Sequence, residues 1–237
     1  MSKKGQIYLI PCPLGDVPPI NVLPLSVTKV IESIDHYVVE HEKNARRFIK
    51  SICPQKKQAD LKLVTINKFT DPSDIPDFIE PCLSGFNMGI ISDAGCPGIA
   101  DPGAEVIHLA HRHGIRVIPL VGPSSILLAL MSSGLNGQNF AFHGYLPIDK
   151  MDRKKKLKQL EKQSAQEQQT QIFIETPYRN SQLLEAMLKT LKPDTQLCVA
   201  CNLTLEHEFI LTQEVARWRP SAHDLHKNPS IFLFLAS

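Results

Sequence analysis

Short apolar runs alternate with segments of helical periodicity through the first half of the chain. Gln6–Ile10, Tyr37–Glu40, Lys62–Ile66, Asn87–Ile91 and Arg116–Leu120 read as strands. Val22–Ser33, Ile75–Leu83 and Ala104–His113 carry apolar residues at helical spacing. That alternation predicts βαβ units and a parallel sheet. Met88-Gly89-Ile90-Ile91 has no polar face, as expected of a strand covered on both sides. The second half reads differently. A helix at Ser124–Ser133 precedes a strand at Phe140–Tyr145, a charged helix from Asp152 and a glutamine-rich turn at Gln163–Thr170. Strands at Gln171–Glu175, Gln196–Cys201, Glu208–Thr212 and Ile231–Leu235 follow, with one helix at Asn180–Leu191. Mostly successive strands imply a mixed sheet. The expectation is a two-domain α/β protein, residues 1–121 around a parallel sheet and residues 122–237 around a mixed one. The boundary, at Gly122, has no Gly/Ser linker.

Composition narrows the class without naming a function. The chain is 43% hydrophobic and 21% charged, with a formal net charge of +2. No apolar run approaches the roughly 20 residues of a membrane helix. Met1-Ser2-Lys3-Lys4-Gly5 leads into the first strand without a signal-like apolar stretch, so a cytoplasmic protein with no membrane association is expected. Six cysteines are scattered. Cys198-Val199-Ala200-Cys201 has C-x-x-C spacing, but a strand puts residues three apart on opposite faces, so no metal site is expected there. His108, His111 and His113 crowd a helix end without ligand spacing. Arg153-Lys154-Lys155-Lys156, followed by Lys158 and Lys162, reads either as a solvated helix face or as a polyanion-binding run.

Candidate chemistry sits beyond the carboxyl ends of the strands, where open parallel sheets bind ligands. Pro11-Cys12-Pro13-Leu14-Gly15-Asp16 follows the first strand. Ser92–Gly103 (SDAGCPGIADPG) packs three glycines, two prolines and two aspartates into twelve residues, a stiff loop whose backbone can approach a ligand. Asp101-Pro102-Gly103 is expected to open a helix, with Asp101 as the cap. Val121-Gly122-Pro123-Ser124-Ser125 again joins a strand to a helix, and Glu175-Thr176-Pro177-Tyr178-Arg179 ends a strand in the second half. Neither G-x-G-x-x-G after a strand nor a P-loop occurs, which argues against nicotinamide and nucleoside-triphosphate chemistry.

These loops resemble the tetrapyrrole methylase superfamily, and within it the small-subunit ribosomal RNA 2′-O-methyltransferases. Ser92–Gly103 is similar to S-D-A-G-T-P-x-x-x-D-P-G with Cys96 in place of threonine. Pro11-x-Pro13-Leu14-Gly15 resembles P-T-P-I-G, Gly144-Tyr145-Leu146-Pro147 resembles G-F-L-P, and Glu175-x-Pro177-x-Arg179 resembles E-S-P-H-R. The resemblance implies a homodimeric S-adenosylmethionine-dependent methyltransferase that binds the cofactor between its two domains and acts on ribosomal RNA or the small ribosomal subunit. The implied cofactor positions are Leu14, Cys96, Ile99, Ser124, Ser125, Thr176, Asn202 and Ser230. There are departures. Val39-Glu40-His41-Glu42-Lys43 stands where these RNA enzymes have A-E-D-T-R, and Ala200-Cys201-Asn202-Leu203-Thr204 stands where they have A-R-E-L-T.

Methyl transfer to a ribose hydroxyl gains from alignment of donor and acceptor and from a group that takes the hydroxyl proton. Glu40, Asp93, Glu175 and Glu208 are the candidate catalytic carboxylates. Asp93 equally fits a loop-stiffening role, and Glu40 a helix start. Arg153, Lys154, Lys155 and Lys156 are the candidate RNA contacts. Two other readings remain open at this point: a methylase of another acceptor such as a tetrapyrrole, and a non-catalytic donor- or RNA-binding module, for which the residues at Cys201 and Asn202 speak.

Overall fold

The computed structural model describes residues 4–219 and 224–237, so Met1–Lys3 of the amino-terminal lead lie outside it. Contacts divide the chain into two compact units, Met1–Ser124 and Ser125–Ser237.

The first unit contains β1 (Gln6–Ile10), α1 (Leu25–Ser33), β2 (His36–Val39), α2 (Glu42–Ile52), β3 (Lys62–Thr65), α3 (Glu80–Leu83), β4 (Met88–Ile91), α4 (Ala104–Arg112) and β5 (Arg116–Pro119). Its five strands run in the order β3-β2-β4-β1-β5, and every pairing is parallel. Strand alternation divides the core. Ile10, Tyr37, Val39 and Ile91 belong to one cluster with α1 and α2, and Ile7, Val38, Met88 and Ile90 to another with α4. Both faces are thus covered, as the unbroken apolar run of β4 requires.

The second unit contains α5 (Ser125–Ser133), β6 (Phe140–Tyr145), α6 (Lys150–Glu167), β7 (Thr170–Ile174), α7 (Asn180–Thr190), β8 (Gln196–Cys201), β9 (Phe209–Glu214) and β10 (Ser230–Leu235). The strand order is β6-β7-β10-β8-β9. Only β6 and β7 pair in parallel, so the sheet is mixed as expected. Leu157 and Leu160 of α6 and Leu183, Leu184 and Met187 of α7 pack on Phe173, Leu197, Val199, Cys201, Phe232 and Phe234. Cys198 lies on the opposite face of β8 from Cys201, so the two thiols do not converge.

Two expectations about helices need correction. The predicted turn at Gln163–Thr170 is helix as far as Glu167, and the chain turns only at Gln168, whose φ is 50°. Gln, Ala and Glu are good helix formers, and nothing in the segment breaks the pattern. Asp101 does not cap α4. The cap is Gly103 at φ 116°, and the helix begins at Ala104.

Candidate functional site

Three loops at the carboxyl edge of the parallel sheet are stitched to one another. Cys12 and Gly95 exchange backbone hydrogen bonds, N to O at 2.9 and 3.1 Å, tying the β1 loop to the β4 loop. The Cys96 thiol donates to the Pro123 carbonyl at 3.4 Å, tying the β4 loop to the β5 loop. A hydroxyl would serve the same purpose, so cysteine in place of the threonine of the resembling motif keeps the tie. The β1 and β5 loops touch where a Cβ on Gly122 would stand 2.2 Å from Pro11 Cγ. Gly95, at φ 70°, sits against Leu14 and the Pro123 carbonyl, which only glycine permits without strain.

Beside these loops, the ends of β2 and β4 bring four polar side chains together. The Glu40 carboxylate accepts from the Asp93 backbone N–H at 3.2 Å. Asp93 Oδ2 accepts from Asn44 Nδ2 at 2.9 Å and lies 2.7 Å from His41 Nδ1. The nearest donor and acceptor atoms of Glu40, His41 and Asp93 lie within 4.8 Å of one another. Asp101, freed from capping, is half-buried in this cluster. Burial, then the charge of Glu40, raises its pKa to about 6; Asp93 adds to the rise and the Ser92 hydroxyl opposes it. The Cys12 thiol is pushed up by burial and by the charges of Asp93 and Asp101, and burial raises Cys96, so neither is a ready thiolate. A cavity of about 510 Å³ opens next to the cluster, walled by Leu14, Asp16, Arg47, Phe48, Ser51 and Asp93. That is within the size of small-ligand sites.

The pKa of Asp101 has a measurable consequence. The native state binds more protons than the unfolded chain between the ordinary value of 3.8 and about 6. Stability therefore falls as pH rises through that window, and the whole cost is present above it. After solvent screening of a half-exposed group the cost is about 1 kcal/mol. Asp101→Asn is expected to raise the melting temperature by about 2–4 °C near neutral pH. The gain should vanish near pH 4, as followed by thermal denaturation at both pH values.

The sequence-derived residues divide between the units. Leu14, Cys96, Ile99 and Ser124 stand at the carboxyl edge of the parallel sheet, with Ile99 49% exposed, and Ser125 is the first residue of α5. Glu40 and Asp93 are brought together. In the second unit, Glu175 is buried and its Oε1 accepts from Thr176 N–H at 2.7 Å and from Arg179 Nε and Nη2 at 3.0 and 2.6 Å. It orders the turn that carries Thr176. Glu208 is exposed and accepts from the Thr204 N–H at 2.7 Å. Asn202, at φ 52°, donates to Asn228 Oδ1 at 3.2 Å. Ser230 is buried, its hydroxyl donating to the Asn228 carbonyl at 3.0 Å. Cys201 packs in the core cluster of the second unit, which gives that departure from the RNA-enzyme motif a packing role. Lys154 and Lys155 are exposed and Lys156 is partly so, whereas Arg153 is buried, contrary to a run lying entirely on a solvated face. Asp101 was missed as a site residue because its D-P-G context reads as a helix cap.

Residues 6–217 match the family model for tetrapyrrole (corrin/porphyrin) methylases. The chain belongs to this family. It is therefore a methyltransferase, and the tetrapyrrole methylase fold accounts for both of its sheets. The ribosomal RNA small subunit methyltransferase I of Bacillus subtilis strain 168 is 33% identical over 220 residues, which is 92% of this chain and 71% of that protein. The enzyme of the same name from Vibrio cholerae serotype O1 is 30% identical over 204 residues, 86% of this chain and 67% of the relative. The crystal structure of the methyltransferase CobJ superposes with a TM-score of 0.63 at 15% identity, covering 98% of this chain and all of that one. At that identity the likeness is one of fold. Among the described residues, no helix of this tetrapyrrole methylase is long and apolar enough to cross a membrane.

Proposed function

We propose that this methyltransferase transfers the methyl group of S-adenosylmethionine to a ribose hydroxyl of small-subunit ribosomal RNA. The observation that carries the acceptor is the 33% identity, over 92% of the chain, to an enzyme named for that RNA. The stitched loops support the donor. Leu14 and Ile99 offer apolar surface to a heterocycle, the Gly95 backbone permits close approach, and the neighbouring carboxylates suit a cation. When bound, S-adenosylmethionine supplies an electrophilic methyl group on a positively charged sulfur. The chain's own contribution is to align the acceptor and take its proton. In this reading the Glu40–Asp93–Asp101 cluster would take the proton of the acceptor hydroxyl, while the donor, giving up its methyl group through cleavage of the bond to sulfur, would leave as a neutral thioether. A carboxylate whose pKa is about 6 is suited to that exchange near neutrality. Asn44 and His41 orient Asp93 for the same purpose.

The test uses labelled donor and total ribosomal RNA from a strain lacking this protein. Label should appear at a single 2′-O-methyl nucleotide of the small-subunit RNA, and absence of label from that RNA refutes the acceptor. The exposed lysines provide a second arm. Reversing Lys154, Lys155 and Lys156 to glutamate should weaken RNA binding and reduce the log–log salt slope by about 0.7 for each phosphate that is no longer neutralised. Affinity for the donor should be unchanged. An unaltered slope would return the three lysines to a solvated helix face.

A further inference from the structure

Arg153 is the unusual member of the basic run. It is 6% exposed, and its guanidinium Nε is closed off from water with no hydrogen-bond partner. Among the described residues it forms no ion pair. A buried donor without a partner is disfavoured, and such groups in folded proteins are ordinarily paired or bind something. Simple packing of the arginine stem explains burial of the methylenes but not of an unpaired nitrogen.

The same side chain lines a cavity of about 460 Å³ between α6 and α7. Lys150 and Lys154 join it from α6, and Gln182, Glu185 and Lys189 from α7. The carboxylates nearby are already engaged. Glu185 lies 3.2 Å from Lys189 Nζ. Asp149 accepts the N–H groups of Met151 and Asp152 at 2.8 and 3.0 Å. Those bonds are the main reason its carboxyl is held below the ordinary range, with the Arg153 charge a minor contribution. Asp152 lies on the exposed side of the first turn. The cavity therefore presents a guanidinium with an unpartnered Nε and three ammonium groups against one paired carboxylate.

We infer that this cavity is an anion site that receives a backbone phosphate of the RNA acceptor. A planar guanidinium fork matches phosphate geometry, and a phosphate in the cavity would give Arg153 the counter-charge that no ion pair supplies. A polymer is favoured over a free anion because Lys155, Lys158 and Lys162 continue positive charge along the exposed side of α6 beyond the cavity. The inference rests on RNA being the acceptor, and its test is a binding measurement that needs no turnover.

The full-length protein and its Arg153→Met variant are titrated with a single-stranded oligoribonucleotide, by fluorescence anisotropy over about 50–200 mM salt. The variant is expected to bind about tenfold more weakly, with the salt slope reduced by about 0.7. Without ligand it should melt at or above the wild-type temperature, because a buried donor without a partner has been removed. Inorganic phosphate should raise the wild-type melting temperature and leave the variant's unchanged. Lys189→Glu, at an exposed position, should weaken RNA binding in the same direction and serves where Arg153→Met does not fold. Wild-type RNA affinity and slope in both variants would overturn the site. Phosphate protection that depends on Arg153 while RNA binding does not would overturn RNA as the source of the anion. If wild-type protein leaves ribosomal RNA unmethylated yet binds it through Arg153, the acceptor reading fails while this site stands.

Discussion

Glu175→Ala is expected to destabilise the protein by about 3 kcal/mol, because removing one partner of a buried pair leaves the other uncompensated. The Glu175 side chain is 1% exposed and a single oxygen collects three donors, two from Arg179 and one from the Thr176 backbone. Alanine removes all three of these hydrogen bonds, and the Thr176 N–H and the guanidinium then compete for what water can reach. Arg179 is 27% exposed, so its charge recovers some hydration, which places the loss at the lower end for such pairs. The melting temperature should fall by about 6–12 °C for a chain of this length. Glu175→Gln keeps an acceptor oxygen and gives up only the charge, so its loss should be about half as large. If Glu175 instead took a proton during methyl transfer, both variants would lose activity alike while melting near the wild-type temperature. Thermal denaturation alongside methyl-transfer activity therefore separates a carboxylate that holds a turn from one that takes part in chemistry.

How much of this was legible in the sequence depended on how local the signal was. Strands of the first unit follow from short apolar runs, and the pattern gives their bounds to within about a residue, as local patterning allows. The glycine- and proline-rich loops are local as well, and their positions at strand ends follow from chain order. The carboxylate cluster is not local. Glu40 and Asp93 meet only because β2 pairs with β4, and Asp101 enters only because Gly103, at φ 116°, takes the cap. Neither strand order nor a left-handed glycine can be read from periodicity. Arg153 is the opposite case, a signal that was present and outweighed. Arg153, Leu157, Leu160, Glu161 and Ser164 fall on one helical stripe, and all five are buried. The run of four adjacent basic residues suggests a solvated face, but the spacing to the apolar residues decides which of the four turns inward.

Gly122→Ala is expected to cost about 2–3 kcal/mol by overpacking, and to weaken donor binding at least about tenfold in the same variant. A methyl group there would stand 2.2 Å from Pro11 Cγ and 2.3 Å from Pro11 Cβ, with Leu23 at 3.2 Å on another side. The proline ring cannot rotate away, so backbone must move. Movement at Pro11 strains the adjoining Cys12–Gly95 hydrogen bonds. Movement at Gly122 shifts the Pro123 carbonyl that accepts from Cys96. Because three loops are tied pairwise, displacement of one is passed to the other two, and the Gly95 backbone that the donor is proposed to approach is displaced with them. Gly137→Ala is the control, since a Cβ there meets nothing within 4 Å. It should leave melting temperature and donor affinity near wild type. Calorimetry with S-adenosylmethionine on both variants gives the comparison. Full donor affinity in a destabilised Gly122→Ala protein would mean that the three loops support the sheet edge without forming the donor site.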